Sequence, residues 1–168
     1  MTDRPEPVAE RVLALLREKG QTLSTAESLT GGLIGDLLTS VPGASASYRG
    51  GLITYATALK STLAGVAAET LAQHGAVSEA TAVEMAYGTA VRCEADWGVA
   101  ATGVAGPERQ EGHPAGTVFI AAAHPADGND LVWAEHLTLS GNRWQIRRAT
   151  AGAALSLVER AAAALATR

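Results

Sequence analysis

The chain has 168 residues, of which 47% are hydrophobic and 18% are charged, and its formal net charge is −4. This composition predicts one globular domain over residues 1–168 and excludes an intrinsically disordered chain. The mild acidity gives no electrostatic basis for direct binding to nucleic acid. The single cysteine, Cys93, excludes an internal disulfide and a cysteine-ligated zinc site, and we expect it to be buried as a small apolar residue.

The N-terminal segment carries no recognisable targeting signal. Residues Met1–Glu10 are charged and contain Pro5 and Pro7, unlike a signal peptide. No apolar run along the chain reaches the ~18 residues that a membrane span needs. We therefore expect a cytoplasmic protein that does not enter a membrane.

The first half of the chain predicts helices that alternate with short strands. Pro7 suits the first position of a helix, and Lys19-Gly20 suits its end. The elements predicted after this helix are a short strand within Gln21–Thr25, a helix bearing Leu33, Leu37 and Leu38, a strand over Gly51–Tyr55, and short helices around Ala58–Leu63 and Ala67–His74.

The second half predicts a long helix, three strands and a final helix. Ser78 suits the cap of a helix that runs to about Cys93. The inward positions predicted on this helix are Val83, Ala86, Ala90 and Val91. The elements that follow are strands over Trp97–Ala101, Thr117–Ala123 and Leu131–Leu139, and a helix from Arg143 to about Ala166 with Ile146, Ala149, Ala153 and Leu157 on one face.

The alternation of strands and helices predicts a layered α/β domain. The Thr117–Ala123 strand is apolar throughout, so we expect it to be central in the sheet. The connection after Ala123 is short, which predicts one antiparallel pair and hence a mixed sheet.

The segment Thr25–Gly32, which joins a predicted strand to a predicted helix, is the first that could carry chemistry. Gly31 and Gly32 would let the backbone approach a ligand, and free N–H groups at the start of a helix attract anions. No Lys-Ser or Lys-Thr pair follows the glycines, so the segment is not a P-loop. The alternative is a helix cap and tight turn in which Glu27 interacts favourably with the helix dipole.

The serine-rich loop Pro42–Gly51 is the second such segment, and Tyr55 and Lys60 follow it. A serine nucleophile needs a base, but no G-x-S-x-G motif occurs and no histidine has a motif that pairs it with a serine. Lys60 is then the best base, because burial would lower its pKa, and Tyr55 could relay a proton or orient the lysine. The alternative is a solvated turn, a core tyrosine and a surface lysine.

Two further segments lie at element ends. Thr102–Pro107 follows a predicted strand, where open α/β sheets bind ligands, although it does not match G-x-G-x-x-G. Ser140–Arg143 begins the final helix, and a helix N-terminus with an arginine suits a phosphate or carboxylate. The alternatives are an ordinary strand exit and a capped helix. We expect no metal site, because no H-E-x-x-H motif and no histidine pair at helical spacing occur.

The combination of these motifs is more specific than any one of them. In chain order they are Thr25-Ala26-Glu27-Ser28, Thr30-Gly31-Gly32, Pro42-Gly43-Ala44-Ser45, Arg49-Gly50-Gly51, Thr54-Tyr55, Lys60, Gly75-Ala76-Val77-Ser78, Thr102-Gly103-Val104-Ala105-Gly106-Pro107, Gly116-Thr117-Val118 and Ser140-Gly141-Asn142-Arg143. Over about residues 8–165, this set resembles the CinA C-terminal domain family.

The resemblance implies both a fold and an activity. Stand-alone members of that family include nicotinamide mononucleotide deamidase, which converts the carboxamide of this nucleotide to a carboxylate and releases ammonia. The implied fold is a three-layer α/β/α sandwich with a mixed, mostly parallel sheet. The resemblance also implies no metal or organic cofactor, a small-molecule nucleotide as the substrate, and a homo-oligomer.

The resemblance also implies roles for particular residues. Ser45 would be the nucleophile, Lys60 the base and Tyr55 a relay or orienting group, with Ser28 as the second candidate for the catalytic hydroxyl. Backbone amides near Ser45 or at Gly31-Gly32 would form the oxyanion hole. The residues implied to bind the substrate are Thr30, Gly31, Gly32, Thr102, Gly103, Gly106 and Arg143, the last of which would hold the phosphate.

The sequence departs from the family pattern in several loops. Ala44 stands where the family has the first serine of Gly-Ser-Ser, Glu108-Arg109-Gln110 stands where it often has Asp-Gly-Gly, and Asn142 stands in place of an aspartate. These differences leave a second interpretation open, which is a catalytically weak or inactive nucleotide-binding module of the competence-associated CinA type.

Overall fold

Helices and strands alternate along residues 6–126 and 129–165, which are the residues that the computed structural model describes. The helices are α1 (Pro7–Glu18), α2 (Leu33–Thr39), α3 (Thr57–Thr62), α4 (Ala68–His74), α5 (Glu79–Arg92) and α6 (Arg143–Ala164), with a 3₁₀ helix over Ala44–Ala46. The strands are β1 (Leu23–Glu27), β2 (Tyr48–Ile53), β3 (Trp97–Gly103), β4 (Thr117–His124) and β5 (Leu131–Thr138).

The five strands form one sheet in the order β2-β1-β3-β4-β5. Strands β2 and β3 pair in parallel with β1, whereas β4 is antiparallel to both of its neighbours, so β4 alone of the five runs against the others. The sheet is therefore mixed, and four of its five strands run in one direction, as predicted, but it contains two antiparallel pairs, β3–β4 and β4–β5, rather than one. The central strand is β3 rather than β4, but β4 is still flanked on both sides, which accounts for its apolar sequence.

Helices cover both faces of the sheet and complete the predicted α/β/α sandwich. On one face, α1, α2 and α6 share a core with Val99 and Ala101 of β3. On the other face, α5 packs on β3 and β4 around Ala100, with α4 beside it. Successive strand residues point to opposite faces, so a strand with two buried faces supplies both cores. In the described part of the chain, no helix combines the length and hydrophobicity that crossing a membrane requires.

Close packing of α5 on β3 depends on a residue without a side chain. A Cβ atom added to Gly98 in β3 would lie only 1.8 Å from the carbonyl oxygen of Ala86 in α5. Glycine therefore allows the helix backbone to lie directly on the strand, and any larger residue would push the two elements apart.

The structure corrects several predicted details. Strand β2 begins at Tyr48 and ends at Ile53, earlier than predicted, because its register with β1 pairs Leu23 with Tyr48. Val91 is exposed on α5, although it was predicted to face inward, and Ala149 is exposed on α6, although it was predicted to share one face with Ile146 and Leu157, which are buried. The other predicted inward residues are buried or half-buried. Cys93 is half-buried after the end of α5, and the predicted helix end at Ala166 lies outside the described residues.

The carboxyl ends of β1, β2 and β3 lie together at one edge of the sheet. Glu27 at the end of β1 pairs with Ile53 of β2 and with Ala101 of β3. Ligands of open α/β sheets bind beyond the carboxyl ends of the strands. The loops that follow these three strands therefore define the region in which a functional site is expected.

Candidate active site

A serine and a lysine meet at this edge of the sheet. Ser28 directly follows β1, and its backbone N–H donates to the carbonyl of Ala101 in β3, 3.0 Å away. Lys60 lies on α3, and its Nζ donates to Ser28 Oγ at 3.0 Å and to the carbonyl oxygen of Thr54 at 2.8 Å. The carbonyl of Thr54 thus orients the amine toward the hydroxyl.

Burial changes the acidity of Lys60. The side chain is 2% exposed. Burial disfavours the charged amine and lowers the pKa of Lys60 to about 8, while the negative charge of Glu111 raises it and opposes part of this effect. A lysine with this pKa is neutral in about one molecule in ten at pH 7, far more than an ordinary lysine, and a neutral amine can accept the proton of the serine hydroxyl.

A cavity of about 410 Å³ opens in front of Ser28. It is lined by the loops after β1, β2 and β3 and by the start of α6. The lining residues are Ser28, Leu29, Tyr55, Gly103, Val104, Ala105, Gly106, Pro107, Glu108, Arg109, Gln110 and Arg143. Of the residues implicated by the sequence, the structure thus brings Ser28, Tyr55, Gly103, Gly106 and Arg143 to one cavity.

Arg143 is fixed at the wall of this cavity by two hydrogen bonds. Its Nη1 donates to the carbonyl oxygen of Gly106 at 2.7 Å, and its Nη2 donates to the hydroxyl of Tyr55 at 3.0 Å. Tyr55 is 61% exposed, and its hydroxyl bonds to Arg143, whereas the hydrogen-bond partners of Lys60 are Ser28 and Thr54. The predicted relay or orienting role of Tyr55 toward the lysine is replaced by contact with the arginine.

The start of α2 does not provide the free N–H groups that the sequence suggested. The carboxylate of Glu27, a buried residue, accepts hydrogen bonds from the N–H groups of Gly32, Ile34 and Gly35 at 2.9–3.0 Å. The N–H of Gly31 donates to the carbonyl of Ser28 at 3.1 Å. The carboxylate of Glu27 therefore caps α2, as the alternative interpretation of this segment held. Gly31 and Gly32 lie outside the cavity lining.

The two predicted threonines also lie outside the cavity lining. The hydroxyl of Thr102, which is buried, donates to the carbonyl oxygen of Ala76 at 2.7 Å and joins β3 to the loop before α5. The Oγ1 atom of Thr30 is buried and has no hydrogen-bond partner within the described part of the chain. Thr102 therefore connects the end of β3 to the loop before α5. Both threonines were predicted to bind the substrate, but neither lines the cavity.

Ser45 lies at the opposite end of the strands from Ser28, where β1 and β2 begin. It is exposed in the 3₁₀ helix Ala44–Ala46, just before β2 begins. The carbonyl oxygen of Ser47, two residues after Ser45, accepts a hydrogen bond from the N–H of Leu23 at the start of β1. Ser28, in contrast, follows the end of that strand. A strand rises about 3.3 Å per residue, so β1 separates the two serines by more than roughly 10 Å. The geometry therefore replaces Ser45 by Ser28 as the partner of Lys60.

Two residues contribute to the site although the sequence assigned neither of them a role. Glu111, in the polar loop after Pro107, accepts from the N–H groups of Ala76 and Val77 at 2.9 Å and acts on the pKa of Lys60. Arg147 reaches the loop that follows Ser28. Its spacing of four residues from Arg143 was the available signal, because it places both arginines on one face of α6.

Within the described residues, no group of three or more His, Cys, Asp or Glu side chains could hold a metal ion.

Comparison with known proteins identifies the family of the chain. The sequence matches the family model of the CinA C-terminal domain over residues 5–162. The chain belongs to the CinA C-terminal domain family. Solved structures of CinA superfamily proteins share its fold. A protein from Klebsiella pneumoniae superposes with a TM-score of 0.88 at 33% identity, covering 94% of this chain and 97% of that one. The competence/damage inducible protein CihA from Agrobacterium tumefaciens gives a TM-score of 0.85 at 38% identity, covering 93% of each.

Relatives of this CinA domain differ in length. A CinA-like protein of Frankia casuarinae is 47% identical over 154 residues, which are 92% of this chain but only 35% of that protein. The chain therefore spans about a third of the length of such relatives. The nicotinamide-nucleotide amidohydrolase PncC of Shigella flexneri is 42% identical over 149 residues, which are 88% of each chain.

Proposed function

We propose that this chain is a nicotinamide-nucleotide amidohydrolase that converts nicotinamide mononucleotide to nicotinic acid mononucleotide and ammonia, with Ser28 as nucleophile and Lys60 as base. The observation that supports this mechanism is the buried contact of 3.0 Å between Lys60 Nζ and Ser28 Oγ. The choice of substrate is supported by the similarity to the Shigella flexneri enzyme, which matches this chain over 88% of both lengths.

In the first half of the proposed reaction, the neutral amine of Lys60 takes the proton of the Ser28 hydroxyl as its oxygen attacks the carboxamide carbon. The carbonyl π-bond opens and gives a tetrahedral oxyanion. As the intermediate collapses, the C–N bond breaks and the ammonium of Lys60 gives its proton to the leaving nitrogen. Ammonia departs, and the nicotinoyl group remains bound to Ser28 as an ester.

In the second half, water replaces ammonia. Lys60, neutral again, takes a proton from the water while the water oxygen attacks the ester carbon. The second tetrahedral intermediate collapses with cleavage of the bond to Ser28 Oγ, which recovers its proton from Lys60. The product is the carboxylic acid, which ionises at neutral pH, and the enzyme returns to its starting state.

The rest of the cavity suits a nucleotide. The side chains of Arg143 and Arg109 line it, and guanidinium groups bind phosphate through several directed hydrogen bonds. Arg143 is held in place by Gly106 and Tyr55 before any substrate arrives, so little side-chain entropy is lost on binding. We propose that Arg143 binds the phosphate and that the carboxamide faces Ser28.

Direct assay tests the proposal. The purified protein is incubated with nicotinamide mononucleotide, and ammonia and nicotinic acid mononucleotide are both quantified, with Ser28→Ala purified in parallel to reveal contaminating activity. We expect equal amounts of the two products from the wild-type protein alone. Calorimetric binding of the nucleotide without any turnover would instead establish the nucleotide-binding module and overturn the enzyme.

A further inference from the structure

The loop after β3 brings polar residues to the wall of the cavity. Glu108, Arg109 and Gln110 all line it, and all three are exposed. The family pattern often has Asp-Gly-Gly at these positions, so Arg109 and Gln110 stand where the pattern has glycine. The arginine therefore gives this wall a positive charge that a glycine would not supply.

The loop that carries Arg109 is held by hydrogen bonds within it and around it. The backbones of Gln110 and His113 exchange hydrogen bonds at 3.1 and 2.8 Å, and the Nη2 atom of Arg109 donates to the carbonyl oxygen of Gly112. The carboxylate of Glu111 fastens the same loop to the segment before α5. Arg109 is thus ordered before a ligand arrives, so binding costs little of its side-chain entropy.

The wall of the cavity carries an excess of positive charge. Its charged residues are Glu108, Arg109 and Arg143, which give two positive charges against one negative, on a chain whose formal net charge is −4. Within the described residues, none of the three forms an ion pair. A guanidinium has five N–H donors, of which Arg109 uses one in that part of the chain. The other donors can bind an anion.

Arg109 and Arg143 are placed to bind the same molecule. A cavity of about 410 Å³ has the size of a site for one small ligand. Arg143 donates to the carbonyl oxygen of Gly106, which precedes Arg109 by three residues, so the Cα atoms of Gly106 and Arg109 are at most about 11 Å apart. A nucleotide bound in this cavity therefore meets both arginines.

The charges of the proposed substrate determine which of its ends faces these arginines. The pyridine nitrogen of nicotinamide mononucleotide is bonded to the ribose, so the ring is a cation, whereas a phosphate monoester carries about −1.5 to −2 at pH 7. Guanidinium groups repel the ring and attract the phosphate. The charge of that phosphate exceeds what Arg143 alone can neutralise, which leaves a role for Arg109.

We propose that Arg109 is a specificity-determining residue: together with Arg143 it binds the phosphate and makes the cavity select phosphorylated over unphosphorylated pyridine nucleosides. This inference rests on the proposed amidohydrolase function and deepens it. Removing the charge of Arg109 weakens binding of the nucleotide but not of the nucleoside, whose only charge is the positive ring. A residue that merely supported the loop would affect both ligands alike.

The test titrates nicotinamide mononucleotide and nicotinamide riboside calorimetrically into Ser28→Ala, which lacks the proposed nucleophile, and into the same variant with Arg109→Gln. Glutamine keeps an amide donor for Gly112 but removes the charge. We expect the Kd of the nucleotide to rise about tenfold and that of the riboside to stay within twofold. Arg109→Lys, which keeps the charge, is expected to hold both values within threefold. Arg148→Gln, a change of an exposed arginine that pairs with Glu6, is the matched control and should alter neither.

The outcomes separate this inference from the proposed function. An equal loss of affinity for both ligands, or an unchanged affinity for the nucleotide, would overturn the role of Arg109 and leave the amidohydrolase intact. If the wild-type protein releases no ammonia, the proposed function fails, whereas a preference for the nucleotide that depends on Arg109 still supports the phosphate site. Absence of binding by both ligands would overturn both.

Discussion

The Nζ atom of Lys60 lies 3.0 Å from the Oγ atom of Ser28, although the two residues are separated by 32 positions in sequence. The serine follows β1 and the lysine lies on α3, so the pair forms only when β1 and β2 associate and the chain after β2 turns back across the sheet edge. This relationship makes the two serine candidates distinguishable by mutation.

Ser28→Ala is expected to lower kcat about 10⁴-fold or more, because it removes the nucleophile, while Ser45→Ala leaves kcat within about threefold of wild type. Ser45 is exposed at the opposite end of the strands from Ser28 and serves as the matched control. Ammonia release measures both variants. The reverse pattern of activities would return the nucleophile to the serine-rich loop.

Lys60→Met is expected to abolish turnover and yet stabilise the protein at pH 7. The burial that lowers the pKa of Lys60 to about 8 disfavours the charged amine at pH 7 by roughly 3 kcal/mol. The loss of two hydrogen bonds offsets part of this gain, so we expect the free energy of unfolding to rise by about 1 kcal/mol. Urea denaturation measures this free energy of unfolding. A lower value for Lys60→Met than for the wild-type protein would contradict the claim that burial of the charged amine is costly.

The same lysine predicts a dependence of stability on pH. The folded-state pKa of Lys60 lies below its unfolded value of 10.5, so the unfolded chain holds more protons between pH 8 and 10.5. The contribution of Lys60 to stability therefore rises with pH across this window. Lys60→Met is expected to lack this rise, whereas Lys19→Met, which changes the other lysine of the chain, retains it.

Glu111→Gln is expected to move the acid limb of the kcat/KM profile to lower pH. The rate requires neutral Lys60 and so rises with pH through the pKa near 8, and the negative charge of Glu111 raises that pKa. Removing the charge lowers the pKa, and the amide oxygen still accepts one of the two backbone bonds from Ala76 and Val77. Glu69→Gln, an exposed change on α4, is the control. A shift to higher pH would contradict the assignment.

Tyr55→Phe is expected to raise KM about three- to tenfold with kcat unchanged. The lost hydroxyl accepts a hydrogen bond from Arg143. The substitution therefore loosens Arg143, the proposed phosphate-binding residue, and leaves the contacts of Lys60 unchanged. Tyr87→Phe, a partly exposed change on α5, should have no effect on either constant. A fall in kcat of about 100-fold at constant KM would instead restore the role of Tyr55 toward the lysine.

The layered fold could be predicted from the sequence because it depends on local signals. Pro7, Ser78 and Asn142 lie at or next to the starts of α1, α5 and α6 as expected from their preferences for these positions. The start of β2 was misplaced because Tyr48 joins the strand by pairing with Leu23, which lies far away in sequence. Pairing of this kind has no local signature.

The sequence could predict which residues belong to the site but not which serine contacts the lysine. Ser28, Lys60, Tyr55 and Arg143 were all candidates, yet the sequence order places Ser45 closer to the lysine than Ser28. Which serine meets the amine is decided by the direction of β1, whose carboxyl end carries Ser28 to Lys60. In the same way, only the packing of α6 against the sheet directs Arg147 to the turn after Ser28.

The start of α6 links the two ends of the proposed substrate. Arg143 binds the loops that carry Gly106 and Tyr55, and Arg147, one helical turn later, binds the turn beside Ser28. A phosphate bound by Arg143 is thus held by the same helix whose Arg147 binds the turn beside Ser28. A fragment that lacks the phosphate, such as nicotinamide riboside, should therefore react more slowly even when it saturates the enzyme, because remote binding energy is used at the point of bond cleavage.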